Sequence, residues 1–127
     1  KAYSADKKVD AHFGPVLVKK LTEAYVNAGK AAFRSRRYAK AAEAAREAMN
    51  FDPEHLGAMD LEEKCISQAA GMLERARVNL KKGDYASARD NARQVSLILP
   101  ALDPRAGEAR EIAKKATEAK FSGDDDD

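Results

Sequence analysis

Residues 35–53 read SRRYAKAAEAAREAMNFDP, with six alanines in nineteen residues, Tyr38 near the start and Asp52-Pro53 at the end. Alanine is the strongest helix former, so propensity alone predicts a helix here. A second reading is two helices pressed closely together, and a later stretch chooses between them. Residues 83–100 read GDYASARDNARQVSLILP, and Tyr38, Ala39, Ala41, Ala45, Arg46 and Pro53 recur there as Tyr85, Ala86, Ala88, Ala92, Arg93 and Pro100, each 47 residues on. Six identities without a gap mark an internal repeat, and the alanines become packing positions.

Helices follow from periodicity and punctuation. Gly14-Pro15 opens a first helix, with proline suited to its first turn. Leu17, Leu21, Tyr25, Ala28 and Ala32 then recur at helical steps. A second helix runs from Tyr38 with Ala41, Ala45, Ala48 and Met49 on one face, until Asp52-Pro53 ends it and starts the next. The third carries Leu61, Cys65, Ala69, Met72, Leu73, Ala76 and Leu80 over about residues 54–82. Gly83 closes it with a left-handed turn, and Asp84 caps the next. Tyr85, Ala88, Ala92, Val95 and Leu99 mark the fourth helix. After Asp103-Pro104, residues Ala106, Ala109, Ile112, Ala113 and Ala116 mark a fifth, ending near Lys120.

Composition agrees with an all-α class: 35% of residues are charged, 6% aromatic, and there is no tryptophan. No apolar run approaches the ~20 residues that span a bilayer, so no membrane insertion is expected. The net charge of +2 hides an asymmetry, because Asp124–Asp127 supply four of the 21 acidic residues and leave the body with a moderate basic surplus. A single cysteine, Cys65, leaves no intramolecular disulfide and no cysteine-cluster zinc site.

With these positions in hand, AGKAAFRSRRYAKAAEAAREAMNFDP, from Ala28 to Pro53, resembles a tetratricopeptide repeat. It has Gly-x-x-x-Phe on a first helix, a turn, Tyr-x-x-Ala, a small residue four on, and a closing proline. ARVNLKKGDYASARDNARQVSLILP is similar and adds a Gly-Asp-Tyr turn, which the first copy replaces with Arg36-Arg37-Tyr38. It departs at Ala76, Leu80 and Val95, opposite Gly29, Phe33 and Ala48. The resemblance implies antiparallel helix-turn-helix repeats in a right-handed α-solenoid: two repeats plus a C-terminal capping helix, over residues 16–120. Residues 1–15 read as a linker from a larger protein, and 121–127 as a flexible acidic tail. The 47-residue step exceeds the family's ~34. EHLGAMDLEEKCIS, residues 54–67, is read as an extension of the third helix, the alternative being a separate short helix kinked before Ala69.

Candidate chemistry is sparse, and no cofactor or metal is expected. His12 and His55 lack metal-ligand spacing and are read as solvated; Cys65 falls on the apolar stripe, as a core residue. Asp60 and Glu62-Glu63 sit among basic residues as ordinary helix surface. The chain is therefore read as non-catalytic. Tetratricopeptide arrays hold a partner's peptide or helix in a concave groove. The resemblance thus implies a protein-interaction module with a face made of Val26, Asn27, Lys30, Phe33 and Arg34 on the first helix and Leu73, Arg77, Leu80 and Lys81 on the third. The paired cations point to an acidic, partly apolar peptide. Asn27 and Lys30 resemble part of a carboxylate clamp, although Val26 replaces its expected lysine and Glu74 its second asparagine. Nucleic acid is the competing partner class, supported by the basic body and Arg34–Tyr38 but lacking a stacking platform. Self-association or interdomain packing is the alternative function. The compartment stays open, with the cytoplasm favoured.

Overall fold

A computed structural model describes the side chains of residues 14–119. The expected linker (apart from Gly14 and Pro15), the acidic tail and His12 lie outside the described residues. The helices are α1 (Ala2–Arg34), α2 (Tyr38–Phe51), α3 (Leu56–Lys82), α4 (Tyr85–Ile98) and α5 (Pro104–Asp126), with no strand among the described residues. The helical path breaks at Gly14, at φ 80° and ψ −174°, and resumes at Pro15 as the Gly-Pro pair predicts. The extension is settled as well. Residues 56–82 are one helix, without the kink before Ala69.

The chain divides into two compact units, Lys1–Glu63 and Lys64–Asp127. In the first, α1 packs on α2 and on the first turns of α3. Val26, Ala48 and Ala58 form a buried cluster, with Tyr25 and Met49 packed against it. Ala41, Ala42 and Ala45 are fully buried on α2. The deepest stripe of α1 is Thr22, Val26 and Gly29, one residue round from the expected stripe, whose Leu17, Leu21 and Tyr25 are only half-buried. The shift has a physical cause: α1 meets two helices, and the residues between both contacts are covered most. Thr22 is tolerated there because its hydroxyl donates to the Val18 carbonyl at 2.8 Å.

Gly29 sets the spacing. A Cβ at this position would lie 2.6 Å from Leu61 Cδ2, 3.1 Å from Ala44 Cβ and 3.3 Å from the Ala41 carbonyl oxygen. Both α2 and α3 therefore approach α1 more closely than any side chain there permits. At each end of the α1–α2 pair an aromatic contact fills the wider gap. Phe33 meets Tyr38 edge-on at 5.1 Å between ring centroids, and Tyr25 stacks on Phe51 at 5.9 Å.

In the second unit α4 packs on α5, and the C-terminal part of α3 belongs to the same body. Its core is again small: Ala69, Leu73 and Ala76 on α3, Ala88, Ala92, Val95 and Ile98 on α4, and Ala106, Ala109, Ile112 and Ala116 on α5. These are the residues that the sequence periodicity selects, with Ile98 added.

Each unit contains the same inter-helix turn. In the first, Arg37 N–H donates to the Ala32 carbonyl at 2.8 Å and Arg36 N–H to the Phe33 carbonyl at 3.0 Å. In the second, Asp84 N–H donates to Asn79 at 2.9 Å and Gly83 N–H to Leu80 at 3.2 Å, the same bonds 47 residues on. This is a Schellman turn, which needs one residue in the left-handed region. Gly83 occupies it at φ 86° without cost, whereas the first copy forces Arg36 to φ 63°. The first copy also lacks a cap: Arg37 makes no side-chain capping bond, whereas Asp84 accepts from Ser87 N–H.

Two outcomes follow from this geometry. Arg36→Gly should stabilise the fold by about 0.5–1 kcal/mol after glycine's larger unfolded-state entropy is subtracted. Arg37→Asp should add about 0.5–2 kcal/mol by restoring the cap. Urea denaturation of the single and double variants tests both, and an unchanged midpoint would contradict the strained-turn account. Gly29→Leu should cost about 1–3 kcal/mol by overpacking; a melting temperature equal to wild type would show that the approach of α2 and α3 is not limiting.

Candidate partner-binding surface

The nine residues expected to line one face separate into three groups. Val26 and Leu73 are core residues, each 2% exposed, and cannot meet a partner. Val26 is covered by Gly57 and Ala58 at the start of α3. A face that reads as open on α1 alone is occupied by the next helix. Phe33 and Leu80 are half-buried, Phe33 against Tyr38. Asn27, Lys30, Arg34, Arg77 and Lys81 are exposed.

Exposure does not make the cations equivalent. Arg77 is engaged: its Nε lies 2.7 Å from Glu108 Oε2, its Nη2 2.8 Å from Glu108 Oε1, and its Nη1 2.9 Å from Glu74 Oε1. This two-pronged bond ties α3 to α5 within the second unit and occupies the planar fork of the guanidinium. Arg77 is thus a brace rather than a free cation. Lys30, Arg34 and Lys81 have no ion-pair partner among the described residues. Asn27, Lys30 and Arg34 are spaced by three and four, so they form one exposed stripe on α1.

The hydrogen bonds from Arg77, and secondarily its charge, hold the Glu108 carboxyl below its ordinary value of 4.5. In the turn before α5, Arg105 lowers Asp103 in the same way, through its side-chain bonds and its backbone N–H. Both groups bind protons less readily when folded. Their stabilisation is complete above the ordinary carboxylate range and is lost as pH falls through the lowered folded values.

His55 is a structural cap, not a solvated side chain. Its Nδ1 accepts from Ala58 N–H at 3.1 Å, at the third position of α3, and its Nε2 lies 3.3 Å from Glu23 Oε2. The neutral tautomer protonated on Nε2 makes both bonds at once. Asp52 ends α2 as expected, but its side chain accepts from Glu54 N–H and not from a residue of α3. Cys65 is buried on α3. Among the described residues no group of three or more histidine, cysteine or carboxylate side chains is placed to hold a metal ion, and no helix is long and apolar enough to cross a membrane.

A cleft of about 680 Å³ opens between α1 and α2, with Tyr25, Ala28 and Ala32 on one wall and Lys40, Glu43 and Ala44 on the other. Tyr25, Ala28 and Ala32 face α2 across open space.

The paired helices, small-residue seams and shared Schellman turn define a helical repeat architecture. The tetratricopeptide repeat model matches residues 22–55, from Thr22 on α1 through α2 to the His55 cap. Over those residues the chain is similar to a tetratricopeptide repeat. Repeats of this family are generally protein–protein interaction modules. No curated protein and no solved structure matches the chain.

Glu108→Gln should lower the melting temperature at pH 7 and flatten its decline below about pH 4.5. Thermal melts of wild type and variant from pH 3 to pH 7 measure this. Parallel curves over that range would mean that the Arg77–Glu108 brace contributes nothing to the acid response.

Proposed function

We propose that the chain is a non-catalytic interaction module that binds an acidic segment of a partner protein along α1, through Asn27, Lys30 and Arg34 beside the edge of Phe33. One observation carries this reading: Lys30 and Arg34 are exposed one turn apart on the first helix of the matched repeat, with no ion-pair partner among the described residues. Unpaired surface cations steer an oppositely charged partner and set its register, while the half-buried aromatic edge gives it apolar contact. In the second unit Leu80 and Lys81 stand at the same repeat positions as Phe33 and Arg34, and offer the same pairing of apolar edge and cation. Val26 and Leu73 support the surface from beneath, and Arg77 stiffens the second unit rather than contacting the partner.

Affinity capture from a lysate with wild-type chain and with the Lys30→Glu/Arg34→Glu variant tests the reading. The bound proteins should fall at least ten-fold with the variant, at an unchanged melting temperature. An identical set and amount of captured protein overturns the α1 surface.

A further inference from the structure

The two units share their turns but differ at one seam. In the first unit Arg46 of α2 bonds Glu62 of α3, Nε to Oε2, at 2.8 Å. Glu62 follows Ala58 and Leu61, a buried pair three residues apart. In the second unit α5 repeats that pattern with buried Ala106 and Ala109, but the next residue is Arg110. Arg93 stands at the repeat position of Arg46, so an arginine takes the place of the expected carboxylate partner.

Both arginines line one groove of about 760 Å³ between α4 and α5, together with Asp90, Gln94, Leu97 and Ala113. Arg93 and Arg110 are exposed, and neither has an ion-pair partner among the described residues; Asp90, the groove's carboxylate, pairs with neither. One turn before Arg93 on the same stripe, Arg89 has its Nε enclosed without a hydrogen-bond partner. Leu97 is 63% exposed beside them, a large apolar side chain that the second unit leaves uncovered.

We propose that this groove is a second binding surface, taking an amphipathic helical segment of a partner protein that places a glutamate or aspartate between Arg93 and Arg110 and an apolar side chain on Leu97. The incoming carboxylate replaces the one that Glu62 supplies in the first unit. Two guanidinium groups around one carboxylate give directed, charge-assisted bonds, and the apolar contact beside them excludes water from those bonds. This surface is distinct from the stripe on α1 and does not depend on it.

A labelled 18-residue helical peptide of leucine, alanine and glutamate, with leucine and glutamate on one face, and its glutamine-for-glutamate counterpart are the probes. Fluorescence anisotropy should show the glutamate peptide binding at least ten-fold more tightly. Arg93→Gln/Arg110→Gln should remove that difference, whereas Lys30→Gln/Arg34→Gln should preserve it. Arg110→Glu should abolish binding without lowering the melting temperature, because it offers Arg93 a carboxylate within the chain and so separates lost binding from lost folding. Equal affinity for the two peptides, a difference that survives Arg93→Gln/Arg110→Gln, or no binding at millimolar peptide overturns the proposal.

Discussion

The close approach at Gly29 is the constraint from which the first unit follows. With Leu61, Ala44 and the Ala41 carbonyl all crowding the site of a missing Cβ, α1 can meet two helices at once. Only small residues then fit along the seam, which is why α2 buries Ala41, Ala42, Ala45 and Ala48. Larger side chains are displaced to the ends, where the Phe33–Tyr38 and Tyr25–Phe51 contacts close the wider gaps. Close packing of this kind tolerates little change in volume, so the helix pair forms a stiff support for the exposed stripe on α1.

Local chemistry was legible in the residues. The Gly83 turn and the caps at Asp84 and Asp103 each need only their immediate neighbours, and short-range rules describe them. The apolar stripes of α2 to α5 were equally readable, because alanine at helical spacing marks a buried face whichever helix covers it. The surface was less legible, and for a physical reason. Which face of α1 stays open depends on where α3 begins to pack, and the sequence marks that only through Gly29 and Ala58. Val26 therefore reads as exposed and is buried. Arg77 reads as a free cation because Glu108, its partner, lies 31 residues away on another helix. His55 departs in the same sense. An imidazole before a helix is easily taken for solvated, and only the bond from Ala58 N–H reveals the cap.

The repeat also shows how two copies of one pattern can diverge in charge while keeping their backbone. The turn bonds recur pair for pair at a 47-residue offset. The ion pairs do not, since Arg46 meets a carboxylate and Arg93 meets another arginine across a groove. A helix end leaves carbonyls without intrahelical partners, and the same turn bonds supply them in both copies. Charges at the rim of a seam cost little either way, so these positions are free to change partners.

A core dominated by alanine has a thermal consequence. Each fully buried alanine removes only one methyl group from water, so folding hides little apolar side-chain surface for the number of residues it orders. The heat-capacity change of unfolding scales with that surface and is correspondingly small. The free energy of folding then varies gently with temperature, giving a broad, shallow curve in place of a steep dome. The folded population, and the surface it presents, then changes little over a moderate range of temperature.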